Sequence, residues 1–240
     1  MSAVHWRAEL AKVAAAPSSD TFEHVRSALE SMRSSDEPFA LLHVRRATRV
    51  IAFSRRDERR AGFDEARSAA AAHGFEVAVR AVGGTFAPLH EDSLILDEYG
   101  FAAGRGSETV ARFARHADIL RRVFASYGID TRVGQVEGEY CPGAFSVNAR
   151  GIAKISGTAQ RVSRDAWVVS SVIQVAATES LHGVTEACAR AFGQSVDVAT
   201  IGSLAGEGVS VSCGEVARRI VTAFREEGII GRGGVLGGAL

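Results

Sequence analysis

The sequence predicts an α+β fold, a mixed and largely antiparallel sheet flanked by helices, and two observations carry that expectation. Helix-like and strand-like segments are mixed along the chain, without the steady strand–helix–strand alternation that builds a parallel sheet. Between residues 131 and 175, short strand signals separated by turn residues read as a meander. The 240 residues suffice for one large domain or two small ones. With no internal repeat, low-complexity linker or clear boundary, the whole chain, 1–240, is expected to form a single domain.

Residues 6–16 and 21–33 read as helices; in the second, Asp20 or Thr21 can cap, and Phe22, Val25, Leu29 and Met32 share one face. Pro38 opens an extended run, FALLHVRR, and RVIAFSRR follows from Arg49 after one polar break, so the two read as a strand pair. Residues 57–73 are Ala-rich and helical, and Gly74 stops them. FEVAVRAV, 75–82, alternates Phe75, Val77 and Val79 as a strand does, a Gly83-Gly84 break follows, and SLILDEY, 93–99, is the next strand. The longest helix, 106–127, ends at Gly128. The meander holds TRVGQV, AFSVNA, IAKIS, AQRVS and WVVSSVIQV. Helices return at 183–192 and 213–227, with a helical turn near 197–204. The Gly-rich end, 229–240, is expected to be a flexible tail.

Lys plus Arg and Asp plus Glu number 28 each, so overall charge points to neither nucleic acid nor an anionic membrane as partner. The three cysteines, Cys141, Cys188 and Cys213, have neither C-x-x-C spacing nor a nearby His at zinc-finger spacing, and a sparse odd count suits a reducing compartment. The N-terminus lacks a basic region followed by an apolar core. The longest apolar stretch, 166–177, is too short to span a bilayer. A cytoplasmic protein is therefore expected, and a monomer, since no heptad or exposed apolar stripe is visible. The seven His are scattered, so no metal site is expected. G-x-S-x-G, the phosphate loop G-x-x-x-x-G-K-[ST], and a G-x-G-x-x-G opening a helix after a strand are all missing.

The segment from Glu137 to Val162 carries the most chemistry. Cys141 lies in a Pro-Gly loop between strand signals, and Lys154 follows thirteen residues later on a strand bounded by Gly151 and Gly157. A hairpin returning the chain would bring the Lys toward the Cys, and a nearby ammonium favours the thiolate, the nucleophilic form. On spacing alone, such a Cys is more often a small buried hydrophobe and such a Lys a solvated edge residue. Arg80 sits at a strand end before Gly83 and Gly84, which permit close backbone approach to a ligand or simply make a turn. His90, Glu91 and Asp92 read as a solvated loop, Cys188 as helix core, and Cys213, near a helix start, as structural.

Together these segments resemble the lipoate/biotin protein ligase superfamily. Arg80 to Gly84 matches R-x-x-G-G after a strand, and Lys154 to Arg161 (KISGTAQR) matches K-[IVF]-x-G-x-[AS]-Q-R about seventy residues later, with a long helix between. The resemblance covers roughly residues 35–190 and implies the fold of the class II biotin/lipoate protein ligase catalytic domain. Tyr140-Cys141-Pro142-Gly143-Ala144-Phe145 further resembles the Y-C-P-G-[SA]-[YF] loop of the octanoyl and lipoyl transferases of the amidotransfer type. That resemblance makes Cys141 the acyl-thioester nucleophile and Lys154 the residue that stabilises its thiolate and assists at the acyl carbonyl and the attacking amine. It places Arg80, Gly83, Gly84, Gly157, Thr158 and Ala159 around the acyl group. The chain departs from the pattern at Val82, where Ser is frequent, at Ser146, where many members have Asp, at Leu94-Ile95, where Leu-Asn is usual, and at His90, one residue further from the Gly-Gly than the His of ATP-dependent ligases.

The reaction so implied moves an octanoyl or lipoyl group from an acyl carrier donor, through a cysteine thioester, onto the lysine of a 2-oxoacid dehydrogenase lipoyl domain or a glycine-cleavage H protein, with no cofactor required. An ATP-dependent lipoate-protein ligase, needing ATP and Mg, is the alternative; its usual C-terminal domain would be replaced here by a short tail, and the Cys-Pro-Gly loop would be incidental. A non-catalytic acyl- or carrier-binding protein is the third reading.

Overall fold

The computed structural model describes residues 39–101, 108–176, 178–230 and 235–237, together with Val25, Leu29, Glu30 and Met32. The expected helix at 6–16 lies outside the described residues. Of the one at 21–33, Val25, Leu29, Glu30 and Met32 are helical, and the three apolar residues are buried against Leu41, Tyr99 and Val168.

The strands are β1 Phe39–Arg46, β2 Val50–Ser54, β3 Glu76–Arg80, β4 Ala87–Leu89, β5 Ser93–Phe101, β6 Thr131–Val133, β7 Val147–Ala149, β8 Ala153–Ser163, β9 Ala166–Gln174 and β10 Val235–Gly237. The helices are α1 Phe63–Ala72, α2 Thr109–Ala125, α3 Glu179–Ala191 and α4 Cys213–Glu226. A seven-stranded sheet runs β10-β1-β5-β9-β8-β7-β6, and a three-stranded one runs β3-β2-β4. Pairing is antiparallel except for β1 with β10 and β2 with β3. This is the expected α+β class, a mixed and mostly antiparallel sheet with flanking helices.

Both faces of the large sheet are covered. Leu42, Leu94, Leu96 and Ile173 meet Leu120 and Phe124 of α2 and Ile220 and Phe224 of α4. On the other face, Ile95 and Val172 meet the small sheet and α3 through Phe53, Phe86, Leu181 and Val184. The period-2 alternation of a strand sends successive side chains to these two cores. Among the described residues no helix is long and apolar enough to cross a membrane.

Several expectations need correction. FALLHVRR and RVIAFSRR are not paired with each other. β1 lies between β10 and β5, and β2 is the centre of the small sheet. All five residues of β2 are buried, so it takes a neighbour on each side, and the break between the two runs holds no hairpin-forming pair such as Asn-Gly. β4 lies in a stretch read as loop because Pro88 conceals it; it is an edge strand, where a proline costs no ladder hydrogen bond. IAKIS and AQRVS form one strand, β8, running through Gly157. The region 57–73 divides into a 3₁₀ turn, Asp57–Arg59, and α1, separated by Gly62 at φ 85°. A Cβ at Gly62 would stand 1.9 Å from the carbonyl oxygen of Ala191. The expected loose tail contains β10, whose Val235 to Gly237 pair in parallel with Leu42 to Val44.

His43 is fully buried on β1, with Nδ1 3.3 Å from Arg45 Nη1, and Arg45 is paired with Asp97. Burial first, then the Arg45 charge, pulls the His43 pKa down to about 4, against the opposing pull of Asp97. Since the unfolded value lies near 6.5, the unfolded chain binds the extra proton first as pH falls. This contribution to stability is therefore complete above pH 6.5 and is lost on descent toward pH 4, by roughly 3 kcal/mol. Urea unfolding across that range is expected to show His43→Leu gaining on the wild type by that order as pH falls; a constant difference would show that His43 does not titrate there.

Candidate active site

The chain between β6 and β7 forms the loop that carries Cys141. Cys141 has φ 46°, a left-handed conformation that a non-glycine residue adopts only when its surroundings enforce it. Two side chains supply the enforcement. Lys154 Nζ, from β8, donates to the carbonyl oxygens of Tyr140 at 2.9 Å and Cys141 at 2.8 Å. Glu139 Oε1 accepts from the Gly143 N–H at 2.9 Å and the Ser146 hydroxyl at 3.1 Å. Lys154 is 1% exposed and Glu139 3%, with Nζ 3.6 Å from Oε2. The ammonium also lies 4.6 Å from the centroid of the Tyr140 ring.

The thiol faces the small sheet. Cys141 Sγ is 3.2 Å from the Thr85 backbone nitrogen, which donates to it, and 3.6 Å from Arg80 Nη2. Arg80 ends β3, is buried, and donates from Nη2 to the Thr85 carbonyl at 2.6 Å. Gly84 has φ 91°, and a Cβ there would stand 2.8 Å from Cys141 Sγ and 2.9 Å from Arg80 Nη2. Only glycine allows both that backbone angle and that approach. At Gly157 a Cβ would come within 2.9 Å of Lys154 Cε, so this glycine leaves room for the lysine stem.

Burial pushes the Cys141 pKa up, but the charges of Arg80 and Lys154 and the Thr85 N–H outweigh it and leave the thiol below its ordinary value. Lys154 is itself lowered: burial disfavours its charge more than Cys141 and Glu139 restore it. The other cysteines differ. Cys188 is in the core, its thiol directed at the Ala66 carbonyl, and burial raises it to about 12. Burial likewise raises Cys213, the first residue of α4.

A cavity of about 240 Å³ opens on the thiol. Cys141, Lys154, Arg80, Gly83, Gly84, Gly157, Thr158 and Ala159, eight residues singled out from the sequence, all line it. The large sheet contributes in an unusual way. β7 pairs with β8 no further than Ser156, so beyond that residue the cavity meets the β8 edge. Gly157, in register with Val172, belongs to one face, and Thr158 and Gln160 to the α2 face, where Phe113 joins them.

Glu139, Thr85 and Phe113 join the site without having been singled out from the sequence, and Ser146 entered there only as a departure from the family pattern. Glu139 sits two residues before Cys141, and an acid so placed beside Cys-Pro-Gly was its available signal. Thr85 acts through its backbone N–H, which no residue type reveals. The His90 segment needs correction: Glu91 is exposed and Asp92 half-buried, and they pair with Arg49 and Arg46, whereas His90 is buried, its N–H donating to Ser93 Oγ at 3.0 Å. The site is thus a thiol inclined to ionise, walled by a guanidinium, a backbone N–H and a buried ammonium, over a small and partly apolar cavity. Such a set suits attack on a carbonyl carbon and retention of the acyl group as a thioester.

No protein-family model and no curated protein matches the sequence. Solved structures match the fold. Protein Ta0514 of Thermoplasma acidophilum superposes with TM-score 0.66 at 16% identity, over 85% of this chain and 78% of that one. Lipoate-protein ligase A bound with ATP gives 0.63 at 18% identity, over 89% and 85%. A bi-partite lipoate protein ligase of Thermoplasma acidophilum, solved in a study with its E2 lipoyl domain, gives 0.64 at 18%, over 88% and 80%. The chain has the fold of the lipoate protein ligase catalytic domains.

Alkylation with iodoacetamide, followed by peptide mapping, is expected to modify Cys141 at least tenfold faster than Cys188 or Cys213 at neutral pH. Arg80→Gln removes a cation from the thiol, so its alkylation midpoint should move to higher pH. Equal rates for the three cysteines would contradict an activated Cys141.

Proposed function

We propose that this protein is a cysteine-dependent acyltransferase that moves an octanoyl or lipoyl group through a Cys141 thioester onto the lysine of a lipoyl carrier domain. The observation that carries this reading is the placement of one thiol, held in a strained loop and lowered in pKa, in the wall of a cavity framed by the glycines of both motifs. The shared fold with lipoate protein ligases supports the substrate class.

The donor is an acyl carrier thioester and the reaction needs no cofactor. Cys141 attacks the donor carbonyl, and the Thr85 N–H and Arg80, which face the sulfur, counter the negative charge that passes through the site. Exchange of one thioester for another is nearly balanced in energy, which removes the need for nucleotide. Ala87, Phe113, Val172 and Ala159 offer an apolar wall to a narrow chain. Burying most methylenes of an eight-carbon chain contributes about 5 kcal/mol, at about 0.8 kcal/mol each. Lys154 serves as fixed charge and loop clamp, since its N–H donors are directed at the carbonyls of Tyr140 and Cys141. The acceptor is a lipoyl domain, the type of partner studied with the bi-partite ligase, or a glycine-cleavage H protein.

Incubation with an octanoyl–acyl carrier protein thioester, without ATP, followed by intact mass measurement, is expected to give a hydroxylamine-labile octanoyl adduct that Cys141→Ala lacks. Octanoyl-AMP formed from octanoate, ATP and Mg, with no thioester adduct, would instead make the protein an ATP-dependent ligase. Binding without either product would make it an acyl-binding protein.

A further inference from the structure

A second buried network reaches the cavity from the α2 side of the large sheet. Glu98 on β5, His116 on α2 and Ser171 on β9 are fully buried. His116 Nδ1 lies 2.9 Å from Glu98 Oε2, and its Nε2 lies 3.0 Å from Ser171 Oγ. Ser171 Oγ lies 2.8 Å from Thr158 Oγ1, and Thr158 lines the cavity together with Cys141. The strands explain the alignment: Thr158 and Ser171 are register partners, so their side chains share a face, and α2 brings His116 onto that face. Arg115 pairs with the second Glu98 oxygen, and the Phe224 ring from α4 packs edge-on against the imidazole at 5.3 Å.

The chemistry of the groups sets the direction of the protons. A carboxylate only accepts, so Nδ1–H donates to Glu98, and in the neutral ring Nε2 then accepts. Ser171 donates to Nε2, Thr158 donates to Ser171, and the Thr158 oxygen keeps free lone pairs at the cavity wall. Burial works against the Glu98 charge, but the hydrogen bonds from His116 and Arg115 and the Arg115 charge outweigh it and hold the carboxyl below its ordinary range. The network is the acid–imidazole–hydroxyl arrangement of a general base with one further hydroxyl attached. The chemistry assigned to Cys141 makes no use of it, and it offers what that chemistry lacks. Amide formation must remove a proton from the attacking amine, and the Lys154 N–H groups are engaged with two carbonyls.

Resting on the transferase reading above, we propose that Thr158 accepts the proton of the attacking lysine amine in the transfer step and passes it through Ser171 to His116. The neutral amine attacks the Cys141 thioester carbonyl; the C–N bond forms and the C–S bond breaks, its electron pair returning to sulfur as the thiolate beside Arg80 and Thr85. The nitrogen proton goes to Thr158 Oγ1, the Thr158 proton to Ser171 Oγ, and the Ser171 proton to His116 Nε2, leaving an imidazolium against Glu98. Thr158 is the catalytic residue of this step; Ser171 and His116 act through it.

The test separates the two half-reactions. Wild type, His116→Gln, Ser171→Ala and Thr158→Val are each charged with octanoyl–acyl carrier protein, and thioester formation is timed by intact mass. The charged enzyme is then mixed with a lipoyl domain, and single-turnover transfer is timed. Gln at 116 retains hydrogen-bonding capacity but cannot take up the proton. The ratio of transfer rate to thioester-formation rate should fall about 10²-fold in His116→Gln and Ser171→Ala, the range of general-base effects. Thr158→Val, which keeps the shape and removes the hydroxyl, should show the same selective fall. An unchanged ratio in the three variants, or an equal loss in both half-reactions as a purely structural role would give, overturns the relay while leaving the transferase standing. A wild type that never forms the thioester overturns both.

Discussion

Taking a lysine ammonium out of water costs several kcal/mol unless charge and hydrogen bonds replace the solvent. Lys154 is 1% exposed, and its replacement solvent is the Cys141 loop itself: two backbone carbonyls, the Glu139 carboxylate and the face of the Tyr140 ring. The dependence is mutual. The loop satisfies the ammonium, and the ammonium holds Cys141 at a positive φ that the residue would otherwise avoid. The same charge helps keep the thiol below its ordinary pKa. Loop shape and thiol chemistry thus share one cause.

The site sits where two sheets meet. β8 brings Lys154 from the large sheet, β3 brings Arg80 from the small one, and the thiol lies between them. Gly84 and Gly157 are the points of closest approach, where a Cβ would displace the sulfur or the lysine stem. The cavity follows from the same geometry: β7 ends its pairing at Ser156, and the space beside the next residues of β8 is shared by both faces of the sheet. That sharing is also how a network on the α2 face reaches a thiol on the other.

Which parts were legible in the sequence follows from which properties are local. Cys141, Lys154 and the glycines announce themselves because backbone geometry and reactive chemistry demand particular residue types at fixed spacing. The α+β class was legible from the interleaving of strand and helix patterns and from the meander. The partnering of β1 and β2 was not, because both runs are apolar and adjacent, and sequence proximity does not reveal that each needs two other neighbours. β4 was hidden by Pro88 and β10 by glycines, since each takes its strand form from its pairing rather than from its own propensity. Glu139, His90, Glu98 and His116 carry no apolar pattern, so only the folded chain shows that they are buried and partnered.

The central claim is that the buried Lys154 ammonium both shapes the loop and favours the Cys141 thiolate. The most direct test is a pH titration of the protein carrying ¹³C-labelled cysteine, following the Cβ resonance of each thiol by NMR in wild type and in Lys154→Met. The account predicts that in the wild type Cys141 ionises well before Cys188, and that in Lys154→Met its midpoint moves upward toward that of a buried thiol. A Cys141 midpoint that is the same in both proteins would show that the lysine does not control the thiol, and the account would fail at its centre.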